Sequence, residues 1–105
     1  MRKPLVLNGA RQVGKTYSVL EFARNQFAKT VHIDFSAQKN YCALFEGDIT
    51  PQVLLPQLEA MGRAEIDPAN TLIFFDEVQA CPRALTSLKY FQERAPEYAI
   101  IAACE

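Results

Sequence analysis

The 105-residue sequence is poor in the residues that mark several classes of protein. It has no tryptophan, one histidine and three cysteines, none of them in a Cys-x-x-Cys pair, so the usual patterns of structural zinc sites are excluded. The longest apolar runs, TLIFF and AIIAAC, are too short to cross a bilayer. Because 11 basic residues oppose 12 acidic ones, no bulk attraction to nucleic acid or to an anionic membrane is expected.

The cysteines are informative about the cellular compartment, and the composition and length about the number of domains. Cys42, Cys81 and Cys104 are odd in number and widely spaced, so we predict three unpaired thiols that act as small buried hydrophobes. Unpaired thiols fit the reducing cytosol, and no signal peptide is apparent, so the sequence predicts a cytoplasmic protein. Half of the residues are apolar, which is typical of a globular chain, and the length suits a single domain over 1–105.

Apolar patterning predicts strands that alternate with helices. Strands are predicted at 4–8, 30–35, 71–76 and 98–103, and helices from Lys15 to about Phe27, after Thr50-Pro51 and after Pro82, with a largely irregular stretch at 36–48. This order implies right-handed crossovers and a parallel sheet, so the predicted fold class is α/β.

Helical spacing also predicts which side chains are buried. The predicted stripes are Val19, Phe22, Ala23 and Phe27 in the first helix, Leu54, Leu58 and Met61 in the second, and Ala84, Leu88, Phe91 and Ala95 in the third. Pro56 conflicts with the second helix, because an interior proline deletes a hydrogen bond and clashes with the preceding turn at a cost of about 3 kcal/mol. We therefore expect a kink there or a helix that begins near Leu55.

A glycine-bearing loop follows the first predicted strand. Residues 9–16 match the pattern Gly-x-x-x-x-Gly-Lys-Ser/Thr without a gap. In such a loop Gly9 and Gly14 permit backbone torsions and close approach that a side chain would block, and amide N–H groups converge on phosphate at a helix N-terminus. The Lys15 ammonium would reach the β- and γ-phosphates, and the Thr16 hydroxyl would ligate Mg²⁺. The predicted cofactor-binding residues are Gly9, Ala10, Arg11, Gln12, Val13, Gly14, Lys15, Thr16 and Tyr17.

An acidic pair ends the most apolar strand, in LIFFDE. Asp76 is predicted to hold Mg²⁺ together with Thr16, and Glu77 to orient or deprotonate the attacking water. Two acids that merely close a strand are the alternative, which the phosphate loop disfavours. Glu77 and Lys15 are therefore the predicted catalytic residues.

Weaker candidates surround these motifs. His32 is predicted to be a surface or interface histidine. Arg83 and Arg94 flank the third helix and are interpreted as a solvated face, with an arginine finger in an oligomer as the alternative. Gln79 is a candidate for contacting or relaying the γ-phosphate.

Four segments of the chain together resemble one family. They are GARQVGKTY (9–17), LFEGD (44–48), LIFFDEVQACPRALTSLKYFQERAPEY (72–98) and IIAA (100–103). They are similar to a bacterial and archaeal family of AAA+-like P-loop ATPases, in which such a module commonly precedes a winged-helix or nuclease-like domain. The resemblance runs from about Lys3 to Ala103, and the long segment around Asp76 is its most specific part.

The resemblance implies a P-loop core of the additional-strand, catalytic-glutamate type with strand order 5-1-4-3-2, and it implies the same site roles for the two motifs. Members of the family continue from IIAA into a Gly-Ser pair, whose polar residue senses the γ-phosphate. Here Cys104 and Glu105 take those places, and we expect the core to lack the fifth strand and the helical lid. Strand 4–8 would then lie at an open sheet edge, so we predict pairing with another copy, capping by a tail, or aggregation.

The function predicted from the sequence is an ATP-binding, Mg²⁺-dependent NTPase core that is coupled to a partner domain. The alternative is a truncated nucleotide-binding remnant without useful hydrolysis. A small P-loop kinase is disfavoured because no arginine-rich lid or acceptor site is visible and Asp76-Glu77 favours water as the acceptor. The absence of an Asn-Lys-x-Asp motif favours adenine over guanine. DNA as a partner rests on family analogy alone, and no membrane association is predicted.

Overall fold

The structure is a computed structural model that describes residues 4–8 and 14–104. In chain order the elements are β1 (Leu5–Leu7), α1 (Lys15–Gln26), β2 (Lys29–Asp34), a first 3-10 helix (Lys39–Phe45), α2 (Pro51–Gly62), β3 (Thr71–Asp76), a second 3-10 helix (Val78–Ala80), α3 (Pro82–Arg94) and β4 (Ala99–Ala103). The predicted alternation of strands and helices is confirmed. The stretch 36–48 is more regular than predicted, since seven of its residues form the first 3-10 helix.

The four strands form one parallel sheet in the order β1-β4-β3-β2. This confirms the α/β class and the part of the strand order that the resemblance implied for these four strands. In the register of the sheet, His32 pairs with Phe74 and Asp34 with Asp76. Among the described residues, no strand pairs with the outer side of β1.

Apolar core covers both faces of the sheet, and β3 is therefore buried along its whole length. Its side chains alternate with the period of two that a strand imposes, so Leu72 and Phe74 join one apolar cluster and Ile73 and Phe75 join the other. The first cluster includes the buried Val19 and Ala23 of α1. The second includes five buried apolar residues of the other two helices, Leu54 and Leu58 of α2 and Ala84, Leu88 and Phe91 of α3. One helix therefore covers one face, and two helices cover the other.

Three phenylalanines attach the first 3-10 helix to the sheet. The rings of Phe35, Phe45 and Phe75 pack edge to face, with centroid separations of 5.5–5.8 Å, and all three side chains are buried. Burial of a phenylalanine contributes about 1.5–3 kcal/mol, and each aromatic pair adds about 1 kcal/mol. Arg83 of α3 also binds the end of this 3-10 helix, because its guanidinium donates hydrogen bonds to the carbonyl oxygens of Phe45 and Gly47. Arg83 is exposed, as the interpretation of a solvated face expected, although that interpretation did not include these two hydrogen bonds, and the arginine finger stays a prediction.

The second helix differs from the prediction at its start. It begins at Pro51 and continues through Pro56, so the expectation that it begins near Leu55 was wrong. Pro56 and Gln52 are both exposed, so water can solvate the carbonyl group that loses its helical partner. Thr50 is the N-cap as expected, but its hydroxyl donates to Asp48 Oδ1 and makes no cap bond. The hydrogen bonds from the Thr50 hydroxyl and N–H lower the pKa of Asp48 below its usual value.

Two predicted core residues are exposed. Phe22 of α1 is 48% exposed and Met61 of α2 is 37% exposed, while the third-helix stripe is fully confirmed. Phe22 lies beside the edge strand, where the sheet ends and no longer covers the helix. Met61 lies in the last turn of α2, two residues before Arg63, whose left-handed backbone turns the chain away. Periodicity identified the correct helix faces but overestimated how far the sheet covers them.

The prediction of three unpaired thiols was also wrong, because Cys42 and Cys81 form a disulfide with a Cα–Cα distance of 5.7 Å. The first 3-10 helix packs against the start of α3, and this tertiary contact joins cysteines that lie 39 residues apart in the sequence. Cys104 is free and buried as predicted. The cytoplasmic location therefore loses its argument from thiols and stays a prediction.

Across the described ranges, none of the helices has the length and apolar character that a membrane span requires.

Candidate functional site

The candidate site lies where the parallel strands end. β3 ends at Asp76, β1 ends one residue before Asn8, and α1 begins at Lys15. The carboxyl ends of parallel strands share one edge of the sheet, which is where ligands bind in open α/β folds. The two sequence motifs therefore meet at the edge that this class of fold uses for binding.

Asp76 lies at the centre of the site and is only 2% exposed. Its Oδ2 accepts a hydrogen bond from the Thr16 hydroxyl at 2.9 Å, although 60 residues separate the two in sequence. Its Oδ1 accepts the backbone N–H of Glu77 at 3.0 Å. A buried carboxylate needs such partners, because desolvation without them is costly. The predicted metal pair, Thr16 and Asp76, is thus in direct contact.

The Lys15 side chain reaches Cys104, the residue that follows β4. Its ammonium donates to the carbonyl oxygen of Cys104 at 2.8 Å, and the N–H of Cys104 donates to the carbonyl oxygen of Leu7 at 3.0 Å. The Cys104 thiol donates to Asn8 Oδ1 at 2.6 Å. Cys104 thus binds Lys15 through its backbone carbonyl and Asn8, the residue after β1, through its side chain.

Glu77 has a backbone that its residue type disfavours. Its φ of 53° and ψ of 46° lie in the left-handed region, which costs a non-glycine residue about 1–2 kcal/mol. The side chain of Gln79 donates to Glu77 Oε1 at 3.0 Å. Backbone strain of this kind clusters at functional sites. Gln79, a candidate for contacting phosphate, lies beside the predicted catalytic carboxylate.

His32 is the site residue that sequence reasoning missed. Its Nε2 lies 3.0 Å from Asp76 Oδ2, and its ring stacks on Phe74 with centroids 4.7 Å apart. The side chain is 31% exposed, in part as predicted for a surface histidine, but the prediction did not include its contact with Asp76. The available signal was positional, since His32 occupies the polar face of a strand that ends near the strand ending at Asp76.

The remaining predicted residues divide into two groups. Gly9, Ala10, Arg11, Gln12 and Val13 lie outside the described residues. Tyr17 lies in α1 and is 67% exposed. Gly14 has an ordinary φ of −92°, so the torsional reason predicted for it was wrong, and a Cβ added there would meet nothing within 4 Å among the residues that the structure describes.

The chemistry of the site fits Mg²⁺ with a nucleotide. Within 4–8 and 14–104, no group of three or more His, Cys, Asp or Glu side chains could hold a metal ion by itself. Mg²⁺ bound with nucleotides does not need such a cluster, because it takes one or two protein oxygens, phosphate oxygens and water. The Thr16 hydroxyl and the Asp76 carboxylate provide the hard oxygen donors that this ion prefers.

A four-stranded parallel sheet, a phosphate-loop lysine and threonine at the start of the first helix, and a buried aspartate at the end of β3 define the class of P-loop NTPase cores. Comparison with family models gives a match to an AAA domain over residues 1–104. The chain therefore belongs to this AAA-domain family, whose function is of the nucleotide-binding ATPase type. Comparison with curated proteins gave no significant match.

Proposed function

We propose that the chain binds ATP with Mg²⁺ and hydrolyses it to ADP and phosphate, and that hydrolysis drives a partner domain. The observation that carries this proposal is the 2.9 Å hydrogen bond between Thr16 of the phosphate loop and the buried Asp76. The two motifs lie far apart in the sequence, and a chance glycine turn would not bring them into contact. The contact supports a common role in holding a metal-bound nucleotide.

Five side chains of the site have a role in this proposed reaction. Lys15 exchanges the Cys104 carbonyl for the β- and γ-phosphate oxygens, where its charge offsets the charge that develops during transfer. Thr16 and Asp76 would hold Mg²⁺, which when bound neutralises phosphate charge. Glu77 orients the attacking water and accepts its proton, and Gln79 restrains the Glu77 carboxylate.

The first test is a calorimetric titration of the chain with ATP and MgCl₂. We expect micromolar binding in the wild type, no detectable binding in Lys15→Ala and unchanged binding in Lys89→Ala, which removes an exposed lysine of α3. Circular dichroism establishes that all three proteins are folded. A folded wild type that does not bind Mg·ATP would contradict the proposal.

The second test separates hydrolysis from binding. Glu77→Gln keeps the size of the side chain and removes the carboxylate, so we expect ATP binding to persist while phosphate release slows by about 10²–10⁴-fold. Equal rates of phosphate release in the variant and the wild type would exclude Glu77 as the residue that activates water.

A nucleotide-binding module without useful hydrolysis is the second candidate function. It is favoured by the sequence after β4, where the resemblance implies a Gly-Ser pair with a polar phosphate sensor and this chain has Cys104 and Glu105, because an acidic residue in the sensor place would repel phosphate. A wild type that binds Mg·ATP and releases no phosphate above the buffer rate would support this candidate. A DNA partner rests only on analogy with the family.

A further inference from the structure

We propose that His32 is a positioning residue for Asp76, and that it thereby sets the Mg²⁺ affinity of the nucleotide site. This inference rests on the proposed function, since it concerns the metal that accompanies ATP. It assigns a role on β2 to a side chain that neither motif contains.

The first step is that the packing of the sheet fixes the imidazole. His32 is paired with Phe74 in the parallel register of β2 and β3, and the two rings are stacked at an interplanar angle of 10°. Phe74 is fully buried, so it forms a rigid support for the histidine ring. Asp76 follows Phe74 by two residues and therefore projects from the same face of β3. The ring edge consequently lies against the carboxylate.

The second step concerns the hydrogen bonds of the carboxylate. An ionised carboxylate only accepts hydrogen bonds, so in this contact the proton lies on His32 Nε2. Asp76 Oδ2 then accepts bonds from His32 and from the Thr16 hydroxyl, while Oδ1 accepts the Glu77 N–H. Of the two donors on Oδ2, only Thr16 is itself a predicted metal ligand. His32 therefore holds the carboxylate independently of the metal.

The third step is energetic. Groups that hydrogen-bond a metal ligand fix its orientation, and their loss typically lowers metal affinity by about 10–100-fold. Without His32, the Asp76 carboxylate has one fewer restraint against rotation away from the metal position. The expected effect is a higher Mg²⁺ requirement for nucleotide binding, without a change in the affinity for metal-free nucleotide.

Two variants separate this role from a purely structural one. His32→Phe keeps an aromatic ring for stacking on Phe74 and removes the donor. His32→Gln removes the ring and places an amide N–H near the position of Nε2. A structural role predicts that Phe substitutes better than Gln, whereas a positioning role predicts the opposite order.

The experiment measures ATP binding by calorimetry, first in EDTA and then over a series of MgCl₂ concentrations. We expect the same affinity in EDTA for all three proteins. The Mg²⁺ concentration that gives half of the metal-dependent gain should rise by about tenfold or more in His32→Phe, and by less than about threefold in His32→Gln. An unchanged midpoint in a folded His32→Phe would overturn the proposal.

A measurement on the wild type keeps the proposal testable if His32→Phe does not fold. Imidazole ¹⁵N NMR reports which ring nitrogen carries the proton, and we expect the Nε2–H tautomer. The Nδ1–H tautomer would overturn the proposal, because Nε2 would then have no proton to donate. A folded wild type that binds Mg·ATP, together with an unchanged Mg²⁺ midpoint in His32→Phe, would overturn this inference alone, whereas a folded wild type that binds no Mg·ATP would overturn the proposed function with it.

Discussion

At the residue scale, Gly14 shows whether a glycine is needed by the fold or by the ligand. Its backbone is in the ordinary helical region and a Cβ would meet no atom of the described residues within 4 Å, so alanine should change the unfolding free energy by about 1 kcal/mol or less. The phosphate loop, in contrast, requires the backbone to approach the ligand closely. We expect Gly14→Ala to melt within about 5 °C of the wild type and to bind Mg·ATP at least about tenfold more weakly.

Thermal melting and calorimetric titration of the same preparation test this prediction. A large drop in melting temperature would instead show that the fold itself needs glycine at this position. Unchanged melting together with unchanged ATP affinity would exclude close approach to phosphate at Gly14.

The left-handed backbone of Glu77 gives a second prediction for a single residue. Glu77→Gly relieves the steric cost and Glu77→Ala does not, so the glycine variant should be more stable by about 1 kcal/mol. Glu21 lies in the middle of α1, and there the alanine variant should be more stable than the glycine variant by about 1 kcal/mol, because glycine is unfavourable inside a helix. Urea unfolding of the four variants measures both differences. The same order at both positions would exclude backbone strain at Glu77.

The site residues that could be predicted from the sequence are those that belong to the two motifs. Thr16 and Asp76 follow from the chemistry of phosphate and metal binding, and the structure places them in contact. His32 belongs to no motif, because its role depends on the register between β2 and β3. Hydrophobic patterning predicts that two strands pair but does not give their relative alignment to within one residue.

At the scale of elements, the disulfide joins the first 3-10 helix to the start of α3. In the chain-entropy treatment a crosslink across 39 residues stabilises the fold by roughly 4 kcal/mol. We expect dithiothreitol to lower the unfolding free energy of the wild type by about this amount. The double variant Cys42→Ala/Cys81→Ala should already be less stable and should show no further change on reduction.

Urea unfolding with and without reductant tests the role of this crosslink. Equal stability of the oxidised and reduced wild type would show that the Phe35–Phe45–Phe75 cluster and the Arg83 hydrogen bonds hold this segment without it.

The helices and strands themselves were predictable because each has a clear apolar period. The wrong burial predictions concern residues at the edge of the packed region, where no neighbouring element covers the helix. They are Phe22 beside β1 and Met61 at the end of α2. Local spacing identifies the apolar face of a helix, but only the assembled sheet determines how much of that face is covered. The Cys42–Cys81 bond has the same origin, since it depends on a contact between distant segments.

At the scale of the whole molecule, the outer side of β1 is an edge with exposed apolar side chains. Leu5 is 51% exposed and lines a groove with Phe22 and Ile101. Exposed strand edges tend to pair with other chains. We therefore propose that the protein self-associates through β1, with an apparent mass in light scattering that rises with concentration.

Leu5→Lys should reduce this concentration dependence, because a charge on an edge strand opposes pairing. Leu85→Lys is a matched control, since Leu85 is a 40% exposed leucine of α3, on the opposite face of the sheet from α1. Equal effects of the two substitutions, or a wild type that remains monomeric at high concentration, would exclude β1 as the interface.

The free thiol of Cys104 offers a way to measure the rate at which the contacts between β1 and the end of β4 open. All three cysteines lie within the described residues, and two of them are joined, so Cys104 is the one thiol available for alkylation. Its N–H is bonded to Leu7 and its Sγ to Asn8, and Cys104 is only 8% exposed, so we expect a reagent to reach the sulfur when these contacts at the end of β1 open. The alkylation rate of the unmodified protein would then report how often this junction opens, and a nucleotide held by the adjoining loop should slow it.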